Sequence, residues 1–463
     1  MDVLLTHGYF LEADAQERRI LRPYPPLGIL YLSSHLKRAG FSVEVFDSTF
    51  RSFAELRALL RTRRPPVVGV YANLMTKATV LSIAAAARDV GSTVVLGGPD
   101  PPPHADEYLA HGADAVVIGE GERTLEELLP RVRSDPQGRR WDDIAGLAYR
   151  DVDGTPRRTP PRPLLPTLDD QPWPDRDAIA IEPYLDAWRR RHGRGSLSLV
   201  TARGCPFTCT WCSRSVFGET HRRRSVAAVA DEAAMLVERY RPEQLWYADD
   251  VFAIHRGWTL AFADEMARRR LRVPFECISR AERIDDDVAD ALTRLGCFRV
   301  WIGSESGSAR VLEAMQRRVR VEQIQAATRR LQARGIEVGH FVMLGYAGEE
   351  ESDLEATVAH LKAARPDTFL TTVAYPIRGT PFHDEVASRV VAPGAWADTT
   401  DRDLRIRGRR SRGYYRWAQR WMTAEVARDR HWREGRLVRA ARAAAIAGAG
   451  RLGMKLLGHR RET

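Results

Sequence analysis

The chain has 463 residues, enough for two or three domains, and its 44% hydrophobic content is that of an ordinary globular protein. No run of about 18 uninterrupted apolar residues occurs, so no membrane-spanning helix is expected. The net charge is +10, but residues 401–463 hold 18 Lys/Arg against 6 Asp/Glu, so the basicity belongs to the tail rather than to the body.

Met1–Asp2–Val3–Leu4–Leu5 enters a strand-like run without a basic leader, so no signal peptide is expected. The five cysteines (205, 209, 212, 277, 297) are too few and too clustered for a disulfide scaffold and suit a reducing, cytoplasmic compartment.

Residues 1–135 alternate strand and helix. Short apolar runs at Val3–Thr6, Ser42–Asp47, Val67–Ala72, Thr93–Gly98 and Ala115–Gly119 flank helical patterns near 27–39, 52–63, 76–90, 101–110 and 122–131. Continuous apolar strands are buried on both faces, so the pattern predicts an α/β, doubly wound, Rossmann-like parallel sheet with its ligand beyond the carboxyl ends of the strands.

Residues 136–194 contain seven prolines between Pro156 and Pro174 and read as an extended linker. From 195 to 390 a second rhythm predicts strands at Leu197–Thr201, Gln244–Ala248, Phe275–Ser279, Arg299–Gly303, Val338–Leu344 and Thr368–Tyr375, with Asp285 as a helix N-cap. Six βα units are too few for a closed eight-fold barrel, so a partial TIM-type barrel is expected, with its chemistry at the strand carboxyl ends.

Residues 391–463 read as a basic helical region. An arginine-rich helix pair capping the barrel is the expectation, with the arginine excess a product of codon bias. A tail that binds nucleic acid or anionic lipid is the minority reading.

The sharpest signal is Arg203–Gly204–Cys205–Pro206–Phe207–Thr208–Cys209–Thr210–Trp211–Cys212, a C-x3-C-x2-C loop directly after the first barrel strand. Thiolates are soft ligands for iron–sulfur clusters or zinc. Three on a tight loop hold three irons of a cubane and leave the fourth open to chelate a small molecule. Zinc would need a fourth ligand, and the nearest histidine, His221, lies nine residues beyond Cys212. Cys277 and Cys297, in or beside predicted strands, read as packing residues.

This loop, with Trp211 at its aromatic position, resembles that of the radical S-adenosylmethionine (SAM) superfamily. The resemblance implies a [4Fe–4S] cluster on Cys205, Cys209 and Cys212, with SAM on the open iron and a 5′-deoxyadenosyl radical as product of one-electron cleavage. It further implies SAM contacts at the strand ends: Asp249 and Asp250 for the methionine ammonium, Ser279 and Arg280 for the carboxylate end, Glu305 for the ribose hydroxyls, and Gly345 and Tyr346 in a glycine-rich turn near the adenine. The usual Gly-Glu pair is absent at 249–250.

In the first domain, Thr6 ends the first strand, Asn73–Leu74–Met75–Thr76 follow the third, Gly97–Gly98–Pro99 the fourth, and Gly119–Glu120–Gly121–Glu122 the fifth. Glycine in such loops lets backbone approach a ligand closely. Together with the barrel these loops resemble the cobalamin-binding branch of the superfamily, which includes the anaerobic bacteriochlorophyll ring cyclase and C-methyltransferases. The Asp-x-His-x-x-Gly motif for cobalt ligation does not occur, and His7 lacks the aspartate two residues before it.

The branch implies radical C-methylation of an unactivated carbon of a small or medium-sized metabolite through methylcobalamin. It also implies an external one-electron reductant of flavodoxin or ferredoxin type. An oxidative ring closure without methyl transfer is the alternative, and a non-catalytic cobalamin- or RNA-binding module a third. Nucleic acid is not the expected substrate, and the sequence leaves the oligomeric state open, a monomer being one option.

Overall fold

The structure, a computed structural model, describes residues 1–135 and 138–463. Its described residues form two compact units: Met1–Pro206 with Ser213–Ala248 and Gly394–Thr400, and Phe207–Cys212 with Asp249–Pro393 and Asp401–Thr463.

The first unit begins with strands β1 (Val3–His7), β2 (Val43–Phe46), β3 (Val67–Tyr71), β4 (Thr93–Gly97) and β5 (Ala115–Val117). Among them run helices α1 (Ala15–Ile20), α2 (Leu27–Arg38), α3 (Phe53–Arg63), α4 (Lys77–Arg88), α5 (Ala105–Ala110) and α6 (Glu122–Ser134). These five strands are parallel neighbours in the order β2-β1-β3-β4-β5. Successive side chains in a strand point to opposite faces. Leu4, Val68, Val70, Val94 and Leu96 cluster with Leu56 and Leu60 of α3, Val80 and Ile83 of α4 and Tyr108 of α5. Val3, Leu5, Val67, Val95 and Val117 cluster with Ile29 and Leu36 of α2 and Leu125 and Leu128 of α6. Both faces are covered, which is why the strands read as unbroken apolar runs. The strand order turns at β1 and β3, and their carboxyl ends carry Thr6, His7 and Asn73.

The predicted linker is structured, except that residues 136 and 137 lie outside the described residues. Strands β6 (Leu147–Arg150) and β7 (Pro156–Arg158) extend the sheet antiparallel from β5, and helix α7 (Glu182–His192) follows. Apart from Pro156, which opens the edge strand β7, the prolines lie in the irregular stretches after it, where no backbone N–H is owed to a ladder. Trp141, Leu147 and Tyr149 supply the apolar anchors.

Strands β8 (Ser196–Leu199), β9 (Ala202–Arg203), β10 (Arg222–Arg223) and β11 (Gln244–Tyr247) and helix α8 (Val226–Tyr240) complete the first unit. β8 and β11 pair parallel, and β9 and β10 antiparallel. The predicted domain boundary at 195 therefore does not coincide with the division into compact units. Buried ion pairs explain this. Arg176 meets Glu232 at 2.7 Å and donates to the Ser198 carbonyl at 3.1 Å, while Arg224 grips the other Glu232 oxygen. Trp396, far along the chain, also returns here: it donates to His104 at 3.2 Å, stands edge-on to Tyr108 and lies beneath the Lys77 ammonium at 4.2 Å.

The second unit contains α9 (Arg256–Arg268), β12 (Phe275–Ser279), α10 (Asp286–Leu295), β13 (Cys297–Glu305), α11 (Ala309–Ala314), α12 (Val321–Gln332), β14 (Glu337–Leu344), α13 (Glu351–Ala364), β15 (Thr368–Val373) and α14 (Pro381–Val386). β12 to β15 are parallel neighbours in succession. Asp285 caps α10 by accepting from the Val288 N–H at 2.8 Å, as the sequence predicts. Cys277 and Cys297 are buried free thiols.

The tail opens with a two-stranded ribbon, β16 (Val390–Val391) and β17 (Arg405–Ile406), and then forms α15 (Arg412–Arg433) and α16 (Leu437–Leu457). This pair is part of the core. Tyr414, Tyr415, Trp421 and Met422 pack with Val342 and Leu344 of β14 and Leu354, Val358 and Leu361 of α13. Gly345 just past β14 has φ +75°, and a Cβ there would lie 2.9 Å from the Tyr415 ring, so glycine is obligatory twice over. Arg409 donates to the carbonyls of Gly345 and Ala374 at 3.3 and 2.5 Å. Glu349 closes the turn by accepting from the Gly345 N–H at 2.6 Å, while its other oxygen is buried without a partner.

Burial pushes the Glu349 carboxyl up to about 8 from 4.5. A raised carboxyl pKa favours the protonated fold, so this group's contribution to stability is present below about pH 4.5 and is lost as pH rises through about 8. Glu349→Gln is expected to flatten that part of the stability–pH curve. Denaturant unfolding measured across the interval checks it: an unchanged slope in the variant contradicts the assignment.

Candidate functional site

At the carboxyl edge of the first sheet, Thr6 is buried and donates to the Phe46 carbonyl at 2.8 Å. Asn73, Met75 and Thr76 form a tight turn: Met75 N–H donates to Asn73 Oδ1 at 2.9 Å, Asn73 N–H to Thr76 Oγ1 at 3.1 Å, and the Met75 side chain is exposed. Gly98 has φ +106°, and a Cβ would fall 2.3 Å from the Ala72 carbonyl oxygen. Only glycine fits, and β4 thereby presents bare backbone at Gly97–Gly98–Pro99. The Pro99 carbonyl accepts from Ser215 Oγ at 2.7 Å, and a Cβ at Gly119 would lie 3.7 Å from the Val216 carbonyl oxygen. The segment after the cysteine loop thus runs over these turns.

His7, at the end of β1, is enclosed. Its Nε2 lies 3.0 Å from Asp47, and its Nδ1 accepts from the Tyr9 N–H at 3.2 Å. Tyr184 donates to the second Asp47 oxygen at 2.8 Å. Burial raises the Asp47 carboxyl, but the bonds from His7, Thr49 and Tyr184 outweigh it and hold the group below its ordinary range. Both His7 ring nitrogens are engaged.

Glu120 and Glu122 are engaged as well. Arg203 meets Glu120 at 2.7 Å and Glu122 at 2.7 Å, and Arg222 meets the second Glu120 oxygen at 2.8 Å. The Leu165 N–H donates to that oxygen at 2.7 Å. Burial raises the Glu120 carboxyl; Arg222, Arg203 and Leu165 overcome this and lower it below its ordinary range. The Arg203 guanidinium also stands 5.2 Å from the Tyr31 ring. Gly204 follows with φ +85°, where a Cβ would meet the Thr220 carbonyl oxygen at 2.3 Å, and Cys205 comes next. Spacing alone shows no role for Arg203; its position one residue before the glycine of the loop is the only hint.

Cys209, Trp211 and Cys212 lie in the second unit. Thr210 anchors the stretch. Its N–H donates to the Met315 carbonyl at 3.2 Å, its carbonyl accepts from Phe382 at 2.9 Å, and its hydroxyl lies 2.6 Å from the Tyr346 hydroxyl. Tyr346 is buried and stacks on Phe382, and Trp211 packs against the same cluster. Tyr346, predicted as a cofactor contact, holds the cysteine loop.

Arg280, at the end of β12, is buried. It donates to Cys209 Sγ at 3.4 Å, lies 3.7 Å over the Phe207 ring, donates to the Arg317 carbonyl at 2.5 Å and pairs with Glu282. Beside it, Ser279 Oγ is buried without a protein partner. Glu305 ends β13 at a register shift with φ +60°, a strained conformation that re-aims its side chain. Burial pushes its carboxyl up to about 7 against the pull of Arg317 and Arg280. Asp249 is buried, and Asp250 is raised by desolvation and by the Asp249 charge.

None of the five cysteines is in a disulfide. The donor set of the loop suits an iron–sulfur cubane by its chemistry. Among the described residues, no three His, Cys, Asp or Glu side chains are gathered at ligating distance.

Residues 199–361 match the radical SAM superfamily, and residues 19–129 match the B12-binding domain. The chain carries a radical SAM domain and a B12-binding domain. This B12-binding radical SAM protein is 29% identical, over 77% of each chain, to the uncharacterized methyltransferase PH0819 of Pyrococcus horikoshii. It is 28% identical to the anaerobic magnesium-protoporphyrin IX monomethyl ester cyclase of Rubrivivax gelatinosus, over 79% of this chain and 66% of the cyclase. In fold it resembles the radical SAM methyltransferase TsrM from Kitasatospora setae, solved with cobalamin and a [4Fe–4S] cluster, with a TM-score of 0.68, 22% identity and coverage of 85% of this chain and 76% of that one. The radical SAM match agrees with the partial barrel read from the sequence.

Arg203→Met leaves Glu122 buried beside an apolar chain and Glu120 with Arg222 as its remaining cation. The expected loss is about 3–5 kcal/mol of stability. Adding Glu122→Leu should return part of it. Denaturant unfolding of the single and double variants checks this, and a loss under about 1 kcal/mol for the single variant contradicts the clamp.

Proposed function

We propose that this enzyme is a cobalamin-dependent radical SAM C-methyltransferase acting on an unactivated carbon of a biosynthetic metabolite. The observation that carries the proposal is the C-x3-C-x2-C loop of a radical SAM domain on a chain that also holds a B12-binding domain. Relatives support methyl transfer: besides PH0819, they include the cytidylyl-2-hydroxyethylphosphonate methyltransferase of Streptomyces wedmorensis and the hopanoid C-3 methylase of Methylococcus capsulatus, at 24% and 26% identity.

When bound, a [4Fe–4S] cluster, SAM and cobalamin supply one-electron cleavage of a sulfonium and carriage of a methyl group. Cys205, Cys209 and Cys212 are the ligands we assign to the cluster. Arg280, donating to Cys209, lowers the charge on that sulfur and so tunes its affinity for an electron. The unpartnered Ser279 hydroxyl offers a buried polar contact at the strand end where SAM's amino-acid part would lie. Asp249 and Asp250 suit an ammonium, and Glu305, near half-protonated at neutral pH, suits ribose hydroxyls as donor or acceptor. In the first domain the bare backbone at Gly97–Gly98 and the exposed Met75 suit the face of a large corrin. His7, held by Asp47 and Tyr9, is not offered as a cobalt ligand.

The cyclase relatives favour a second reading, oxidative ring closure by the same cofactors. A small external protein of flavodoxin or ferredoxin type is the reductant we expect, in the cytoplasm. Anaerobic turnover with methyl-labelled SAM separates the readings. Label on a product carbon, with a mass gain of one CH2, is the expected result. An unlabelled product lighter by hydrogens supports ring closure instead.

A further inference from the structure

The helical tail has an outer surface that the chemistry above does not use. Of the twelve large hydrophobic side chains exposed among the described residues, six lie between positions 432 and 456: Trp432, Leu437, Val438, Ile446, Leu452 and Leu456. Val438 is 85% exposed, Trp432 69% and Leu456 62%. This concentration exceeds the scattered exposure normal for a protein surface.

The cause lies in how α16 packs. It buries its small residues, Ala440, Ala443, Ala447, Gly450 and Gly453. A Cβ at Gly450 would meet the Trp421 backbone at 2.9 Å, and one at Gly453 the Trp417 ring at 2.4 Å. Close approach to α15 therefore demands the small face inward and sends the leucines and valine outward. Val438, Ala441, Ala445, Leu452 and Leu456 recur at helical spacing along the outer side. An ordinary surface helix has the opposite arrangement.

The charges on this helix are all of one sign. α16 carries Arg439, Arg442, Arg451 and Lys455 and no Asp or Glu. Arg451 is paired with Glu351 at 3.1 Å, whereas Arg439, Arg442 and Lys455 are exposed and, among the described residues, have no carboxylate within ion-pair reach. Trp432 and Leu437 flank the α15–α16 turn, with Arg430, Arg433 and Arg436 around them, Arg433 paired with Asp429 at 2.9 Å and Arg436 with Glu434 at 3.0 Å. A helix with outward leucines, cations beside them and an indole at one end has the chemistry of an interfacial helix on anionic lipid. No helix among the described residues is long and apolar enough to cross a membrane, so α16 would lie on the surface.

We propose that the outer face of α16 and the α15–α16 turn dock the enzyme on an anionic lipid surface. The proposal is independent of the reaction catalysed. The test uses the full-length protein and flotation with vesicles of phosphatidylcholine, with or without phosphatidylglycerol, alongside light scattering of the lipid-free protein. Binding to the phosphatidylglycerol vesicles is expected to exceed that to phosphatidylcholine about tenfold or more and to weaken with salt. Leu452→Ser with Leu456→Ser, and separately Arg439→Glu with Arg442→Glu, should each reduce it about tenfold or more with an unchanged thermal transition. No binding to phosphatidylglycerol vesicles, or equal binding to both compositions, overturns the proposal. So does an oligomer in lipid-free solution that the serine variant dissociates, which makes the face a contact between copies.

Discussion

The Arg203 guanidinium, held between Glu120 and Glu122, is the interaction that fixes the entry to the cysteine loop. It joins the last βα turn of the first sheet to the strand that leads directly into Cys205. A buried carboxylate pair without a cation would be prohibitive, so the two elements are obliged to meet. Arg222 and the Leu165 N–H complete the lone pairs of Glu120, and Gly204 then turns the backbone against Thr220 where no side chain fits. The fixed geometry at the start of the loop is therefore electrostatic first and steric second.

A similar logic holds the later part of the loop. Thr210 is gripped through its N–H, carbonyl and hydroxyl, and Arg280 reaches Cys209 from the end of β12. The tail takes part through Tyr415 and Arg409, which brace the turn after β14 that carries Tyr346. Ser279 and Glu305 stand apart from this bracing: one buried hydroxyl lacks a partner, and one carboxyl is held in a strained backbone with a raised proton affinity. Unmet polar capacity of this kind, at the carboxyl ends of barrel strands, is what supports the proposed polar contacts to SAM there.

Much of the fold was legible in the sequence because buried parallel strands are written as short unbroken apolar runs, and all eleven predicted strands have counterparts. The hairpin within residues 136–194 was not legible, since prolines nearby masked Leu147–Arg150 and an edge strand carries little pattern of its own. The return of Trp396 to the first sheet, and the grouping of β8 and β11 with that sheet's unit, depend on long-range ion pairs and ring contacts that no local pattern encodes. At the site, cysteine spacing named the chemistry, but spacing says nothing about side-chain partners. Glu120, Glu122 and Tyr346 drew notice as loop residues of ligand-binding type, and the structure ties their side chains to Arg203 and Thr210. Arg280 reads from the sequence as a partner for a carboxylate, and no pattern signals its contact with the Cys209 sulfur.

The central claim is that Cys205, Cys209 and Cys212 carry a cluster with one iron open to SAM. Electron paramagnetic resonance of the anaerobically reconstituted, reduced protein tests it most directly. The account predicts a [4Fe–4S] signal that shifts when SAM is added and is lost in Cys209→Ala. A signal indifferent to SAM, or one that persists in the alanine variant, would contradict it.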